Sequence, residues 1–442
     1  MARRGEAAGG RAGALQGPHR GGEQQVPARA QSAPGSRIPR RRRAGQGRYA
    51  GRYEGARTVI RVPSIDVINN ELAGSAGLKV ISTFAGGGGS STGYKMAGYK
   101  VPVALEFVDK AAATYRANAP STTVIERDIR TVQPQELLEL AGVDVGELDV
   151  LDGSPPCQTF STSGLREKAW GEEVHYSGSY HQRSDDLFFE FTRMLGGLQP
   201  KTFVAENVSG LFKGVAKGYF AEIHRALEAA GPGYRVVAQM VQAHRLGVPQ
   251  KRERVIFIGV RKDLLRDPVF PRPLPASEIV SVAEAIADIP SPPPGSKDCD
   301  WLKEGSRTRM AWEHASVLEE QGCFTYAYRK LGWSQPGKEA RFNWFKLPPH
   351  QPCPTITGKV PCLCHWAEPR TLSIQEAVRL QSFPDDFRFA DDNKFKHRWE
   401  RVGRSVPPLM MAAIAGTIRD EILKPRPRAT ARFAGGIWQE TI

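Results

Sequence analysis

The segment Leu148–Ser161, LDVLDGSPPCQTFS, contains the features that decide the fold. Its apolar residues ahead of Gly153 predict a short buried parallel strand, which the Gly-Ser-Pro-Pro sequence ends abruptly. The two prolines fix the backbone just before Cys157. Open α/β folds bind their ligands at the carboxyl ends of parallel strands, so we expect Cys157 to lie beside such a crevice. A buried structural thiol is the alternative for a lone cysteine.

A glycine-rich turn follows the first predicted strand of the chain. Leu78–Phe84 is that strand, and Ala85–Ser90 (AGGGGS) is the turn, which leads into a stretch compatible with a helix. Glycines let the main chain approach a ligand closely, and a helix N-terminus offers free amides and a positive dipole end. The turn alone is a weak signal. It gains weight because a second predicted strand, Val101–Leu105, ends in Glu106, where an acid can hold ribose hydroxyls.

A third predicted strand, Thr123–Glu126, completes a pocket for a nucleoside. Asp128 and Ile129 follow it, a carboxylate able to bond an adenine edge and an apolar side chain able to cover it. The spacing from Gly86 to Glu106 also fits a dinucleotide fingerprint, so a nicotinamide-linked oxidoreductase is an alternative. That alternative leaves Cys157, Glu206 and the Gln250–Arg254 cluster without a shared task. Tight binding of NAD would favour it.

The alternation of strands and helices continues to about residue 262. Further strands are predicted at Thr202–Ala205, Tyr234–Val241 and Val255–Val260. Glu206 follows the first of these, and Arg252 and Arg254 precede the last. Gln158–Ser184 is rich in Gly, Ser and charge, which predicts a mobile loop that closes over a substrate. The pattern predicts an α/β fold with a doubly wound, mostly parallel Rossmann-like sheet and a second, smaller domain.

Composition divides the chain into segments. Residues 1–60 hold thirteen Arg, three Glu and almost no large apolar side chains, so they account for +10 of the formal net charge of +14. Such a segment cannot bury enough surface to fold. We expect a disordered tail, or a stretch translated upstream of the true start. The predicted order is a disordered Arg/Gly/Ala-rich tail (1–60), the first part of the main domain (76–262), the smaller region (263–366), the return to the main domain (367–425) and a C-terminal tail (426–442).

The smaller region lacks regular periodicity and has clusters of proline. Its later part, Phe324–Cys364, has six basic residues and one acidic residue, interleaved with aromatic side chains. This composition fits contacts to phosphates and bases, and it fits a small core with a solvated rim equally well. The spacing of Cys353, Cys362, Cys364 and His365 matches none of the usual structural zinc sites, so no metal is predicted. Amphipathic helices are predicted afterwards, at Leu372–Ser382 and Pro408–Leu423.

The cysteine content and the absence of long apolar runs indicate the cellular compartment in which the protein works. Six cysteines without paired spacing indicate a reducing environment rather than a disulfide framework. No apolar run is long enough to span a bilayer, and the first residues lack the hydrophobic core of a secretory signal. We therefore expect a soluble, cytoplasmic protein with no membrane partner.

A thiol, a carboxylate and two arginines at one sheet edge suit nucleophilic chemistry on an electron-poor ring. The thiolate is the reactive form, and Arg252 or Arg254 is a candidate for the cation that stabilises it. Carbon 5 of a pyrimidine is a poor nucleophile until a thiolate adds at carbon 6. Glu206 is the candidate group for ring nitrogen 3 or the exocyclic amine, which stabilises the resulting enamine.

Six segments in a fixed order resemble the DNA (cytosine-5-)-methyltransferase family, which uses S-adenosylmethionine. They are FAGGGGSSTGYKMAGYKV from Phe84, GSPPCQTFS from Gly153, ENVSGL from Glu206, VPQKRERVIFIGVR from Val248, RTLSIQEAVRLQSFPDDF from Arg370 and VGRSVPP from Val402. Together they extend over about Leu78 to Ile422. Any one of them would be unremarkable, but chance agreement of six in order is negligible.

The resemblance implies a role for each matching residue. Cys157 would be the nucleophile, Glu206 would bind ring nitrogen 3 and the amino group, Arg254 would contact the cytosine carbonyl, and Arg252 would support the site. The residues implied to line the methyl donor's site are Phe84, Gly86, Gly88, Glu106, Phe107, Asp128, Ile129, Pro156, Leu187, Ser405 and Val406. The C-terminal helix would return beside the first strand and help to close that site.

The resemblance also implies partners. The substrate would be double-stranded DNA, with the target base flipped out of the duplex. Region 263–366 would recognise the target sequence. The protein would act as a monomer in the bacterial cytoplasm, and a cognate restriction endonuclease acting on the same site is a further implied partner.

The chain departs from the family at Arg404, where the family usually has Asn, so the cofactor contact of that side chain is in doubt. Two alternatives remain within the family. Cys323–Thr325 resembles a tripeptide of the tRNA-methylating branch, although the residues after it do not continue that branch's pattern. A catalytically silent DNA-binding relative would be expected to lack Cys157 or Glu206, and both are present.

Overall fold

A seven-stranded β-sheet organises the described part of the chain. The structure is a computed structural model, and it describes residues 62–156, 174–175, 181–182, 187–212, 216–333, 344–358, 362–390, 394–424, 432–434 and 437–439. The predicted N-terminal tail, residues 1–60, lies outside the described residues. So does most of the predicted loop Gln158–Ser184, in which Val174–His175 pairs with His181–Gln182.

The strands follow the order β3-β2-β1-β4-β5-β7-β6 across the sheet. Their bounds are β1 Lys79–Thr83, β2 Lys100–Glu106, β3 Thr123–Glu126, β4 Val150–Gly153, β5 Thr202–Val208, β6 Tyr234–Gln242 and β7 Glu253–Arg261. The first five strands are parallel, and β7 runs antiparallel to both of its neighbours. This confirms the predicted doubly wound, mostly parallel sheet.

Helices cover both faces of the sheet and build the smaller region. Their bounds are α1 Gly89–Met96, α2 Asp109–Asn118, α3 Pro134–Ala141, α4 Leu187–Leu198, α5 Ala216–Ala229, α6 Val282–Ile286, α7 Arg307–His314, α8 Phe324–Lys330, α9 Ile374–Leu380, α10 Phe395–Arg404 and α11 Pro408–Thr417. Local sequence explains several ends. Pro134 starts α3 and the left-handed Gly142 ends it, while Ser373 and Glu376 form a capping box at the start of α9. Among the described helices, none combines the length and apolarity needed to cross a bilayer.

Alternate residues of the strands build two cores. On one face, Ile81, Leu151 and Phe203 pack with residues of α3, α4 and α5. On the other face, Val80 and Val150 pack with residues of α1 and α11. Strands that are buried on both faces are apolar at most positions, which explains the apolar run Phe203–Ala205 of β5.

Several elements differ from the sequence-based expectation. The strand predicted at Val255–Val260 spans Glu253–Arg261, so Arg254 lies within it rather than before it. The strand predicted at Thr202–Ala205 continues to Val208, because β7 pairs with β5 along its whole length and Arg254 lies opposite Val208. The helix predicted at Pro408–Leu423 is α-helical only to Thr417, and a π-helical turn, Ile418–Leu423, completes it.

The smaller region has its own apolar cluster. Phe324 is fully buried, and its ring stacks on that of Trp344 with centroids 6.2 Å apart. Tyr328 packs against the same cluster, whereas Tyr326 is 43% exposed. The composition did not decide whether the aromatic residues of this region contact nucleic acid or form a core. Several of them are core residues. Short parallel pairs complete the region, Phe345–Lys346 with Leu363–Cys364 and Gln250–Lys251 with Cys353–Pro354.

Candidate active site

The parallel strands bring several of the predicted site residues to one edge of the sheet. Strands β2, β1, β4 and β5 are neighbours and point the same way, so Glu106, the turn after β1, and the Pro155–Pro156 segment after β4 share that edge with Glu206. Because β7 is antiparallel to β5, its first residues lie at the same edge. Arg254 therefore joins the group although it is far from the others in sequence.

The turn after β1 has an unusual backbone. Phe84, Gly86 and Gly88 all have positive φ angles, of 52°, 56° and 93°, and Gly88 precedes the first residue of α1. Glycine adopts such angles without strain, whereas a phenylalanine at φ 52° does so at a cost. The turn thus brings main-chain amides to the N-terminus of a helix, an arrangement suited to a polar or anionic ligand group.

Glu106 fixes the position of this turn. Its carboxylate accepts hydrogen bonds from the backbone amides of Gly86, at 2.7 Å, and Val108, at 2.8 Å. Burial raises the pKa of Glu106, and the two amide bonds and the positive charge of Arg401 oppose that rise. The side chain predicted to hold a ribose also organises the glycine-rich turn.

The residues predicted to contact the base of the nucleoside are Asp128 and Ile129, and Phe107 is predicted to line the same site. The Asp128 carboxylate caps a short 3-10 turn by accepting from the Arg130 amide and also forms an ion pair with the Arg130 side chain, each at 3.0 Å. Ile129 is buried within the core under the sheet. Phe107 is half-buried.

The C-terminal helix packs against α1. A Cβ atom added at Gly89 would lie 2.3 Å from the Val406 carbonyl oxygen, so only glycine allows this approach. The Ser405 hydroxyl donates to the Arg401 carbonyl at 2.6 Å, and the Ser405 carbonyl accepts from Gln381 at 2.6 Å. The chain segment before α11 therefore lies directly against the start of α1.

Arg404, the departure from the family pattern, forms an ion pair within its own helix. Its guanidinium lies 2.8 Å from a carboxylate oxygen of Glu400, one turn earlier in α10. The aliphatic part of the side chain lies beside Gly358, where an added Cβ would come within 2.7 Å of the Arg404 Cγ. This side chain is thus engaged with Glu400 and the smaller region.

Glu206 and Arg254 form a direct ion pair. The Arg254 Nε atom donates to Glu206 Oε1 at 2.7 Å, and the side chains are only 15% and 11% exposed. A charge-assisted hydrogen bond in such an environment holds both groups in a defined orientation. The two residues expected to contact one pyrimidine are therefore adjacent.

Arg252 is fully buried beside this pair and has a different set of partners. Its guanidinium donates to the carbonyl oxygens of Ile356, at 3.1 Å, and Gly403, at 3.0 Å. Burial lowers the pKa of Arg252, Arg254 lowers it further, and Glu206 opposes both effects. Arg252 thus joins the smaller region and the end of α10 to the edge of the sheet that carries Glu206 and Arg254.

Cys157 lies outside the described residues, which end at Pro156 on that side. Pro156 is half-buried, and Leu187, the first residue of α4, is fully buried.

The sequence did not single out Asn207, whose side-chain amide donates to the Pro155 carbonyl at 3.2 Å. Its position directly after Glu206 was the only available signal. Asn207 holds the backbone that leads to Cys157.

The cysteines of the smaller region do not resemble metal ligands. Burial raises the pKa of the Cys353 and Cys364 thiols, which favours the protonated form that does not bind metals. Burial lowers the pKa of His365 to about 4. Within the described ranges, no group of three or more His, Cys, Asp and Glu side chains is arranged to hold a metal ion.

Together, the sheet order, the turn after β1 and the carboxylate at the end of β2 define a Rossmann-like fold of the kind found in methyltransferases. A solved structure of a provisionally assigned DNA modification methyltransferase from an E. coli prophage has the same fold, with a TM-score of 0.57 and 24% identity, covering 78% of this chain and 100% of that one.

The chain belongs to the C-5 cytosine-specific DNA methylase family, whose model matches residues 78–420. Type II methyltransferase M.DdeI of Desulfomicrobium norvegicum is 31% identical over 383 residues, covering 77% of this chain and 88% of the relative. Type II methyltransferase M1.HphI of Haemophilus parahaemolyticus is 32% identical over 342 residues, covering 77% and 86%. The protein is thus a DNA (cytosine-5-)-methyltransferase, and the oxidoreductase interpretation is wrong.

Proposed function

We propose that this enzyme methylates carbon 5 of cytosine within a specific sequence of double-stranded DNA, using S-adenosylmethionine and a transient covalent bond to Cys157. The observation that carries the proposal is the Glu206–Arg254 pair, which lies at the sheet edge from which β4 leads to Cys157. A carboxyl group and a guanidinium fixed side by side match the nitrogen 3, amino and carbonyl edge of cytosine.

The residues at the ends of β1 and β2 fit the proposed methyl donor. Glu106 uses its carboxylate oxygens for the Gly86 and Val108 amides, and each oxygen has a further lone pair for a ribose hydroxyl. The N-terminus of α1 suits the donor's carboxylate. When bound, S-adenosylmethionine supplies a methyl group that is activated by its sulfonium centre.

The chain's own groups activate the cytosine ring. The Cys157 thiolate forms a bond to ring carbon 6, and Glu206 donates a proton or hydrogen bond at nitrogen 3, so electron density accumulates at carbon 5. Carbon 5 then takes up the methyl group. Water accepts the carbon 5 proton as the S–C6 bond breaks, which restores the aromatic ring and releases the thiolate, and nitrogen 3 returns its proton to Glu206.

The remaining parts of the proposal concern organisation and partners. Residues 76–262 and 367–425 would form the catalytic domain, and 263–366 would recognise the target sequence. Because relatives are named Type II methyltransferases, a restriction endonuclease with the same target is the proposed functional partner. The enzyme would act as a monomer where the DNA lies, in the cytoplasm.

The experiment that tests the mechanism uses DNA containing 5-fluorocytosine. Sequencing of methylated positions in DNA from cells that express the protein first identifies the target. A duplex with 5-fluorocytosine at that position is then incubated with the protein and S-adenosylmethionine. Since fluorine cannot leave as a proton, the adduct should accumulate as a covalent complex visible by denaturing electrophoresis and mass spectrometry.

The Cys157→Ser variant and a tRNA substrate are the controls. The variant should keep its fold, form no adduct and transfer no methyl group. Full methyl transfer by this variant, or the absence of an adduct with the wild type, would rule out attack by sulfur. Methylation of tRNA in place of DNA would assign the enzyme to the tRNA-methylating branch.

A further inference from the structure

Asp152 is a buried carboxyl group that the proposed chemistry does not use. It lies in β4, five positions before Cys157, and is only 1% exposed. Its Oδ2 atom accepts two hydrogen bonds, from the Ser82 hydroxyl at 2.9 Å and from the Ser90 hydroxyl at 2.7 Å. Its Oδ1 atom is fully buried, and the Tyr94 hydroxyl of α1 also interacts with this carboxyl group. The sequence pattern gave Asp152 no role, because it lies inside an apolar strand.

The three bonded residues belong to three different elements. Ser82 is in β1, directly opposite Asp152 in the sheet, and Ser90 is the second residue of α1, immediately after the glycine-rich turn. The carboxylate therefore links the turn proposed to hold the methyl donor to the strand that leads to the nucleophile. Burial keeps water away from this link.

The surroundings oppose ionisation of Asp152. Burial raises its pKa to about 7, the bonds from Ser90 and Ser82 oppose that rise, and the negative charge of Glu206 adds to it. The other titratable groups that interact with it are Tyr94 in α1 and Tyr115 in α2, both buried. Buried carboxyl groups whose pKa is strongly raised concentrate at functional sites.

We propose that Asp152 is a positioning residue, which holds the glycine-rich turn in the conformation that binds the methyl donor and does so most strongly when it is ionised. The inference rests on the proposed function, because it takes Gly86–Gly89 as the donor-binding turn. An ionised carboxylate accepts hydrogen bonds about twice as strong as a neutral carboxyl group does. Affinity for the donor should therefore rise as Asp152 loses its proton.

Calorimetric titration with S-adenosylmethionine and with S-adenosylhomocysteine tests the proposal across about pH 5.5 to 8.5, a range centred on the Asp152 pKa of about 7. The wild type should bind about tenfold more tightly at the upper end than at the lower end. Asp152→Asn keeps the size and an acceptor oxygen but cannot ionise. It should bind with the low-pH affinity of the wild type throughout.

Two further variants separate positioning from folding. Ser90→Ala leaves Asp152 in place but breaks its bond to α1, so it should bind the donor weakly at high pH and lose most of the pH dependence. Asp149→Asn removes a buried carboxylate at the other end of β4, which the Lys79 amide and Lys201 bond, and should keep the wild-type pH dependence.

The outcomes distinguish this inference from the function on which it rests. If the wild type binds the donor but Asp152→Asn and Ser90→Ala show the same affinity and pH dependence as the wild type, Asp152 has no positioning role. If the wild type binds neither compound at any pH, the proposed function itself fails, and the inference fails with it. Loss of folding in Asp152→Asn leaves Ser90→Ala to decide.

Discussion

The Arg254 side chain donates from Nε to Glu206 Oε1 at 2.7 Å and so joins the first residues of β7 to the last residues of β5. The two strands are antiparallel, and their pairing brings together residues separated by a helix and a further strand. Because both side chains are largely buried, the bond sets the direction in which the Glu206 carboxyl group faces. Catalysis should depend on this orientation as well as on the acid itself.

Glu206→Gln tests the acid. Glutamine keeps the size and an acceptor oxygen, but it cannot supply a proton at ring nitrogen 3, so we expect kcat for methyl transfer to fall by about a hundredfold to ten-thousandfold. Binding of S-adenosylmethionine should change little. Incorporation of labelled methyl groups into target DNA provides the measurement. Glu253→Gln, at an exposed neighbouring position, is the control and should keep the wild-type rate; equal rates in the two variants would contradict the assigned role.

Asp152→Asn should also change the dependence of stability on pH. The pKa of Asp152 is raised from 3.8 to about 7 in the folded protein, so between these values the unfolded chain is ionised while the folded protein retains the proton. Stability contributed at this site therefore falls as pH rises from about 4 to about 7 and stays low above that range. The loss amounts to about 4 kcal/mol at 1.36 kcal/mol per pKa unit.

Urea unfolding at a series of pH values measures this effect. The variant should match the wild type near pH 4 and become more stable than it as pH increases, by up to about 4 kcal/mol above pH 7. Asp149→Asn should instead lose stability, because its carboxylate bonds Lys201 and the Lys79 amide. A constant difference between Asp152→Asn and the wild type across the pH range would show that Asp152 does not titrate as inferred.

Much of this site follows from the sequence, because one geometric rule is enough to assemble it. Apolar runs locate the parallel strands, and the residues at or beyond the carboxyl ends of these runs, such as Gly86, Glu106 and Glu206, must then share an edge. Arg254 is a different case. Its contact with Glu206 depends on β7 running antiparallel to β5. The apolar pattern of a strand does not predict the direction in which it pairs with its neighbour.

Contacts that depend on register or on long-range packing were not predictable. Asp152 lies in an apolar run, and its role becomes visible only when the register sets it opposite Ser82 and α1 brings Ser90 above it. The smaller region is similar, since Phe324 stacks on Trp344, which accepts a hydrogen bond from the Phe324 amide and directly precedes a strand of only two residues. Such strands are too short to leave a periodic signal.

Removing one partner of a buried ion pair at the start of α9 should cost far more stability than removing one partner of a partly exposed pair at its end. Arg370 donates to both oxygens of Glu376, each at 2.8 Å, and both side chains are fully buried. Glu376→Gln removes the negative charge that faces the buried Arg370 guanidinium. We therefore expect the free energy of unfolding to fall by about 3 to 5 kcal/mol. Asp385→Asn breaks the partly exposed pair with Arg379 and should cost less than about 1 kcal/mol. Urea unfolding compares the two, and equal losses would contradict the difference in burial.

Two helical glycines provide a matched test of the packing between α1 and α11. A Cβ atom at Gly93 in α1 would lie 2.5 Å from the Pro408 carbonyl oxygen and 2.7 Å from the Met411 Cβ, whereas a Cβ atom at Gly416 in α11 would meet no atom within 4 Å. Alanine at either position raises helix propensity by about 1 kcal/mol. Gly416→Ala should therefore stabilise the protein. In Gly93→Ala the two helices must move apart, and we expect a net loss of about 1 to 3 kcal/mol in the free energy of unfolding.

Because Ser405 and Val406 precede α11, Gly93→Ala should also weaken binding of S-adenosylmethionine, and Gly416→Ala should not. Thermal unfolding and calorimetric titration measure the two effects, and stabilisation by both substitutions would show that the helices do not pack as closely as described.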